Sequence, residues 1–236
     1  MIVSFVSNKG GTGKTTACVN VAACLSKKGK SVLVIDLDPL ASATAYLGLK
    51  SESFEGYFTQ AIATGEKKLE ETIFEIENSG IHIAPSRRGE IFDKMKKNFL
   101  SKEVEKVIND YAFILIDTLP GFDDVVREAI SVSDTPIAVL NESVFALENL
   151  PLLRDLANKE GKELNCAVVS MISKKSGFSR NVVKTITNQF KKSFIIPYDK
   201  RIPQSQAIGL PLLYMGKSSK ALKDYDAIAE FLIGRT

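Results

Sequence analysis

The sequence contains no tryptophan, one histidine and three cysteines among its 236 residues. A chain with His82 alone cannot form a metal site of several histidines, and the Ile81-His82-Ile83 context predicts an outward-facing strand residue. The three cysteines lack metal-ligand spacing and lie in apolar segments, so we expect buried thiols in a reducing cytoplasm. They are Cys18, Cys24 and Cys166.

Long apolar runs are also missing, and no stretch approaches the length needed to cross a bilayer. The first residues have the pattern of a strand instead of a signal peptide. Hydrophobic residues make up 44% of the chain and charged residues 25%, as is ordinary for a globular protein. We therefore expect one cytoplasmic domain over residues 1–236, with a single sizeable core.

What the sequence does contain begins at its first residues. Residues 2–6 are apolar and rich in β-branched side chains, which predicts a buried strand, and residues 17–25 have the apolar spacing of a helix. Glycines between a strand and a helix let backbone N–H groups point at an anion, and the helix N-terminus adds partial positive charge. The predicted phosphate-binding residues are Lys9, Gly10, Gly11, Thr12, Gly13, Lys14, Thr15 and Thr16.

Within this loop, Lys14 is expected to reach the outer phosphates of a nucleotide and the Thr15 hydroxyl to ligate Mg²⁺. The usual pattern places a glycine five residues before Gly13, where this chain has Asn8, and a second lysine, Lys9, precedes the glycines. The loop thereby resembles the variant P-loop of the ParA/MinD group of ATPases. The alternative is a glycine-rich turn that binds nothing, which the flanking strand and helix disfavour.

Apolar strands alternate with helical patterns along the rest of the chain. Continuous apolar strands need both sheet faces covered, so the pattern predicts an α/β protein with a mostly parallel central sheet and helices on both faces, the P-loop NTPase fold. Predicted strands cover residues 31–36, 81–85, 111–117, 136–140, 164–170 and 194–196. Helical segments are predicted at residues 42–80 (with breaks), 89–109, 144–161, 179–192 and 218–233.

Acidic residues end two of these strands. Asp36 and Asp38 follow the second strand, and Asp117 ends an apolar strand in the Walker B arrangement. Acids at the carboxyl ends of parallel strands lie where open α/β sheets bind ligands. We expect Asp117 to support Mg²⁺, and the resemblance to the ParA/MinD group implies that Asp36 does so as well. The alternative for Asp36 and Asp38 is a solvated strand end.

The resemblance to the ParA/MinD family covers nearly the whole chain, and residues 196–211 and 217–221 look more like its partition branch. It implies an ATP-dependent homodimer in which Lys9 reaches the partner's phosphates. It also implies that Lys9, Lys14 and Asp38 are the catalytic residues. It also implies that the backbone of Pro197, Tyr198 and Asp199 frames the adenine. This sequence departs from the family at Leu40, where many members have glutamine, which places the detail of hydrolysis in question.

Basic residues are concentrated in one segment. Between Met171 and Arg201 there are eight basic residues and one acid, a net charge of +7, whereas the remainder of the chain has a net charge of −4. A helix over residues 179–192 would place apolar side chains on one face and cations on another. Such a surface suits contact with DNA phosphates, and the alternative is a solvated charged face. The predicted DNA-binding residues are Lys174, Lys175, Arg180, Lys184, Lys191 and Lys192.

Three functions are compatible with these features. The favoured one, which the family resemblance implies, is an ATPase that dimerises on binding ATP with Mg²⁺, binds DNA nonspecifically and drives the partition of plasmid or chromosomal DNA. The same resemblance implies association with the nucleoid and stimulation by a ParB-like adaptor. A second is a membrane-associated spatial regulator of the MinD type, although no basic amphipathic tail follows the last predicted helix before Thr236, so we expect no stable membrane association. A third is a metabolic P-loop ligase or reductase, for which no cluster-binding cysteines or substrate pocket can be identified.

Overall fold

The computed structural model describes residues 1–50, 54, 56, 58–92, 94–173, 177–216 and 219–236. These residues form one eight-stranded sheet, and the strands are β1 (Ile2–Val6), β2 (Val32–Leu37), β3 (Phe74–Ile76), β4 (Ile81–Ala84), β5 (Phe113–Thr118), β6 (Thr135–Asn141), β7 (Cys166–Ile172) and β8 (Lys192–Pro197). The strand order is β3-β4-β2-β5-β1-β6-β7-β8, with β3 antiparallel to β4 and the other pairs parallel. The predicted mostly parallel α/β fold is confirmed.

Helices cover both faces of this sheet. The α-helices of the described residues are α1 (Lys14–Lys27), α2 (Ser42–Tyr46), α3 (Thr59–Thr64), α4 (Phe99–Val107), α5 (Asp124–Val132), α6 (Val144–Lys159), α7 (Gly177–Thr187), α8 (Arg201–Ala207) and α9 (Lys220–Ile233). Helices α1 and α9 share one apolar core with the strands, and α3 to α7 pack on the opposite face. No helix in the described ranges is long and apolar enough to cross a bilayer.

The central strands are buried from end to end. All residues of β1, β2 and β5 are buried, as the continuous apolar patterns predict for strands covered on two faces. Strand β1 lies between β5 and β6, so the loop that follows it opens in the middle of the sheet's carboxyl edge. The register of β2 and β5 places Asp36 beside Asp117 at the same edge.

The prediction of helix over residues 89–109 is wrong in its first half. Helix α4 begins at Phe99, and the described residues between 89 and 98 are not helical. Lys94 and Asn98 have positive φ values of 53° and 57°, which a right-handed helix does not accommodate. The lysine-rich composition of this segment led to the prediction of a helix. The backbone instead passes through two residues in the left-handed region before α4 begins.

Other boundaries also differ. Residues 42–80 contain α2, α3 and a 3₁₀ turn at Leu69–Thr72, together with the edge strand β3, which is too short to leave a period in the sequence. Helix α7 ends at Thr187, so Phe190 and Lys191 lie beyond it and Lys192 begins β8. Helix α5 and the short α8 were not predicted.

Candidate functional site

The loop between β1 and α1 has the backbone of an anion cradle. Gly11 and Gly13 have φ values of 71° and 93°, in the left-handed region that favours glycine. A Cβ on Gly13 would also lie 3.3 Å from the Oγ of Ser170. Gly13 supplies no side chain to cap α1, so the first N–H groups of the helix are available to a ligand.

A cavity of about 590 Å³ lies over this loop, which is within the usual range for a small-molecule site. One side is formed by the turn after β2 and the loop after β4, with Asp38, Leu40 and Arg88. The other side is formed by the ends of β7 and β8, with Met171, Ile196, Tyr198 and Asp199. Between them lie Gly10, Gly11, Thr12, Gly13, Lys14, Thr15 and Thr16.

Lys14 lies at the base of the cavity and is only 6% exposed. Burial lowers the pKa of its ammonium group, and the negative charges of Asp117 and Asp38 act in the opposite direction. Asp38 is itself buried, which raises its pKa, while its Oδ1 accepts a hydrogen bond of 2.9 Å from the Leu40 amide. The loop thus holds a cation and two acids in a partly desolvated site.

Asp117 is fully buried, and neither of its carboxylate oxygens has a hydrogen-bond partner among the described residues. Burial and the neighbouring charge of Asp36 raise its pKa well above the usual range, although the nearby Thr15 hydroxyl and Lys14 favour the ionised form. An unpartnered buried carboxylate beside a phosphate loop fits a cation ligand. Mg²⁺ commonly takes one or two carboxylates plus substrate phosphates, so Thr15 and Asp117 suit it.

Asp36 differs from Asp117 because its oxygens are already engaged. Its carboxylate accepts hydrogen bonds from the Thr44 amide and hydroxyl, at 2.9 and 2.8 Å, and from the Asp38 amide at 3.1 Å. Burial raises its pKa to about 6, against these hydrogen bonds. Asp36 therefore orders the turn that carries Asp38, and its support of Mg²⁺ stays a prediction. No cluster of three or more His, Cys, Asp or Glu is placed to hold a metal in the described part of the chain.

The opposite wall contains residues that the sequence did not indicate. Ser170 ends the regular part of β7, and its hydroxyl donates to the backbone carbonyl of Thr12 in the phosphate loop. A bulge between Val169 and Ile172 leaves Met171 with a φ of 57° and turns it to the cavity. A serine and a methionine in an apolar strand leave no sequence signal for such a role.

The predicted adenine segment lies at this wall as well. Tyr198 is 63% exposed and lines the cavity with Asp199, while Pro197 ends β8 just before them. The Asp199 carboxylate accepts hydrogen bonds from Arg201 and Ser219, and Arg201 holds its pKa well below the usual range despite burial. Its side chain is thus committed to local structure, which leaves backbone atoms to contact a base.

Polar contacts behind the loop join α1 to α2 and α8. Gln206 Nε2 donates to the Thr16 hydroxyl at 3.0 Å, and Asn20 Nδ2 donates to the Tyr46 hydroxyl at the same distance. Tyr46 in turn contacts the Ser205 hydroxyl. The contact between Gln206 and Thr16 joins residues 190 positions apart in sequence. Together the three contacts fix the helix that follows the phosphate loop.

Lys9 does not line the nucleotide cavity over the phosphate loop. It lines a second cavity of about 400 Å³, together with Phe122 and Phe145. Its Nζ lies 6.0 Å from the centroid of the Phe145 ring, and that ring is 65% exposed. The second lysine and an aromatic side chain therefore share an open surface beside the loop.

The predicted DNA-binding residues that the structure describes differ in their surroundings. Arg180 and Lys184 are exposed on α7, opposite the buried Val182, Val183 and Ile186. Lys191 pairs with Glu163 at 3.1 Å, and the ammonium group of Lys192 lies 5.0 Å from the Phe194 ring centroid. Lys174 and Lys175 lie outside the described residues. Only Arg180 and Lys184, among those the structure describes, are exposed without an ion pair or a ring contact.

Comparison with known proteins shows the family of the chain. A family model described as an AAA domain matches residues 1–171. The chain is 26% identical to the chromosome-partitioning ATPase Soj of Treponema pallidum, over 98% of this chain and 96% of that protein.

Solved structures share the fold. A Borrelia burgdorferi plasmid partition protein bound to AMPPNP is 22% identical with a TM-score of 0.84, and covers 100% of this chain and 99% of its own. The septum site-determining protein MinD of Pyrococcus horikoshii, complexed with Mg-ADP, is 24% identical with a TM-score of 0.84. It covers 98% of this chain and 95% of its own. With its phosphate loop, its sheet and these matches, the chain belongs to the AAA-domain family and, within it, to the ParA/MinD group of P-loop ATPases.

Proposed function

We propose that this ATPase partitions DNA, associating as a dimer when ATP is bound and binding duplex DNA in that form. The observation that carries the proposal is the position of Lys9, which belongs to the phosphate loop yet lies on the open surface beside it. A cation placed there can serve the phosphates of a second copy, as an arginine finger supplied in trans does.

The residues of the loop have distinct tasks in this proposal. The amides of Gly10 to Thr16 bind the phosphates, and Lys14 neutralises charge on the outer ones. Mg²⁺, when bound, neutralises further phosphate charge, and Thr15 and Asp117 are the residues that would hold it. Asp38 orients the attacking water, with its backbone held by the hydrogen bond to the ordered Asp36 carboxylate.

Helix α7 supplies the DNA contact. Arg180 and Lys184 are four positions apart on the exposed face, so both reach one stretch of phosphate backbone. Contacts of this kind are sequence-independent and weaken steeply with salt. From the family resemblance we infer that a ParB-like adaptor stimulates hydrolysis and that the ATP-bound dimer resides on the nucleoid.

The test measures ATP hydrolysis and binding to random duplex DNA for the native chain and for Arg180→Glu with Lys184→Glu. We expect the native chain to bind only with ATP, and the double variant to lose at least about tenfold in DNA affinity because two phosphate contacts become repulsive. Lys97→Glu with Lys102→Glu is the matched control, since both lysines are exposed near α4, by the other half of the sheet. Unchanged DNA binding in the α7 variant would show that the patch is elsewhere.

A MinD-like role at a membrane is the second candidate, because the chain shares its fold with MinD as fully as with the plasmid partition protein. It predicts ATP-dependent sedimentation with anionic liposomes and no response to duplex DNA. The two assays on the same preparation separate the candidates.

A further inference from the structure

Arg88 is a basic residue that lines the nucleotide cavity but lies outside the phosphate loop. It follows β4, in the loop that leads towards α4, and lines the cavity beside Asp38 and Leu40. Among the described residues that line this cavity, Lys14 and Arg88 are the basic ones. Lys14 is buried between acids, whereas Arg88 is exposed.

The backbone on both sides of Arg88 is tied to the turn after β2 and to helix α2, which follows that turn. The Gly89 amide donates to the Pro39 carbonyl at 2.9 Å, and the Ser86 amide donates to the Thr44 hydroxyl at 3.0 Å. That same hydroxyl donates to the carboxylate of Asp36. The base of the Arg88 side chain is therefore held against the turn that carries Asp38.

The adjacent residue, Arg87, makes contacts that are typical of a structural role in this loop. Arg87 Nη1 lies 3.4 Å from Glu90 Oε2, and its guanidinium carbon lies 5.4 Å from the centroid of the Phe58 ring. Arg88 forms neither an ion pair nor a ring contact within the part of the chain that the structure describes. An unpaired guanidinium beside a phosphate loop is suited to an anionic ligand.

The sheet order places Arg88 at one end of the cavity. Strand β4 lies beyond β2, on one side of β1, while β7 and β8 lie on the other side. In the proposed nucleotide site the base lies against Met171 and Tyr198, at the ends of β7 and β8, so the phosphates would extend from the loop after β1 towards Asp38. Arg88 lines the cavity at this end, beside Asp38, where the Leu40 side chain offers no polar group.

We propose that Arg88 binds the terminal phosphate of a nucleoside triphosphate held by its own chain, and so distinguishes triphosphate from diphosphate. The inference rests on the proposed nucleotide site and concerns its selectivity. Lys9 serves the partner's nucleotide, whereas Arg88 acts in cis. Its contribution is therefore present in a single chain and does not require dimerisation.

The experiment measures dissociation constants for ADP and for AMPPNP, with Mg²⁺, by calorimetry in Arg88→Gln, Arg88→Lys and Arg87→Gln. Loss of a charge-assisted contact predicts about tenfold or more weaker AMPPNP binding in Arg88→Gln, with ADP binding within about twofold of the native value. Arg88→Lys recovers part of the loss, because it keeps the charge but not the bidentate geometry. Arg87→Gln leaves both constants unchanged, and thermal unfolding checks that each variant is folded.

Repeating the pair of measurements in a Lys9→Ala background separates cis from trans action, and the Arg88→Gln effect should persist there. The assignment would be overturned if Arg88→Gln lost equal affinity for ADP and AMPPNP, or lost affinity for neither. It would also be overturned if the effect disappeared in the Lys9→Ala background. A native chain that binds neither nucleotide would overturn the proposed function itself. A native chain that binds both, with an unchanged ratio in Arg88→Gln, would overturn the selectivity alone.

Discussion

Two neighbouring aspartates at the carboxyl edge of the sheet show how much a side chain's partners decide its chemistry. Asp36 and Asp117 sit side by side on β2 and β5, and both are fully buried. Asp36 has backbone and hydroxyl donors, whereas Asp117 has no hydrogen bond from the described residues. The sequence could assign both to one edge of the sheet, but only the structure separates the ordered acid from the unpartnered one.

Asp117→Asn should stabilise the metal-free protein at pH 7. Burial raises the folded-state pKa of Asp117 above its unfolded value, so its stability contribution is full below the unfolded pKa and is lost as pH rises through the folded pKa. The amide carries no charge to desolvate, and in a protein of this size each kcal/mol gained raises Tm by about 2–4 °C. Thermal unfolding without Mg²⁺ and nucleotide measures the gain.

The same variant should lose the extra stability that Mg²⁺ and nucleotide give to the native chain. Asp110→Asn is its matched control, because Asp110 is exposed and its neutralisation should change neither quantity. An Asp117→Asn protein that is less stable than the native chain without Mg²⁺ would show that the carboxylate has an unrecognised partner.

At the scale of elements, the strand, loop and helix at the start of the chain could be read almost completely from sequence. Glycine spacing specified the left-handed turns, and the apolar run specified β1. The opposite wall of the cavity could not be read, because Ser170 and Met171 act through a bulge in β7 that depends on its pairing with β8. The prediction of helix before α4 failed for a similar reason, because no local sequence pattern indicates the positive φ of Lys94 and Asn98.

Gly13→Ala should abolish nucleotide binding. The added Cβ meets both an unfavourable φ of 93° and the Ser170 hydroxyl at 3.3 Å. Either the loop or the Ser170 side chain, which donates to the Thr12 carbonyl, must therefore shift by a few tenths of an ångström. Strain of a left-handed alanine costs about 1–2 kcal/mol, which urea unfolding should detect.

Gly29→Ala provides the control for this effect. Gly29 has a φ of 76° but nothing within 4 Å of an added Cβ, so the backbone penalty is similar and the site is untouched. We expect comparable destabilisation with normal nucleotide affinity. Normal nucleotide affinity in Gly13→Ala would show that the contact with Ser170 does not set the loop geometry.

At the scale of the whole molecule, the proposed dimer places the open surface around Lys9 against the nucleotide site of a second copy. Lys9→Ala should bind ATP with near-native affinity but fail to dimerise, because its ammonium group lies outside the cavity of its own chain. Light scattering after size exclusion, with AMPPNP or ADP, measures the change in mass.

Lys27→Ala tests whether removing any exposed lysine has the same effect, since Lys27 lies at the far end of α1. It should dimerise like the native chain. AMPPNP-dependent dimers of Lys9→Ala would contradict the trans role and leave the loop lysine without a partner site.

The place of β1 in the middle of the sheet also constrains how this chain can be made. Its neighbours β5 and β6 are synthesised more than a hundred residues later, and α1 is covered by α9 at the other end of the sequence. The amino group of Met1 donates to the Ala112 carbonyl, and the Ile2 amide to the Asp134 carboxylate. Strand β1 is thus completed only after β5 and β6 have been made, so the nascent chain holds an apolar strand uncovered until then.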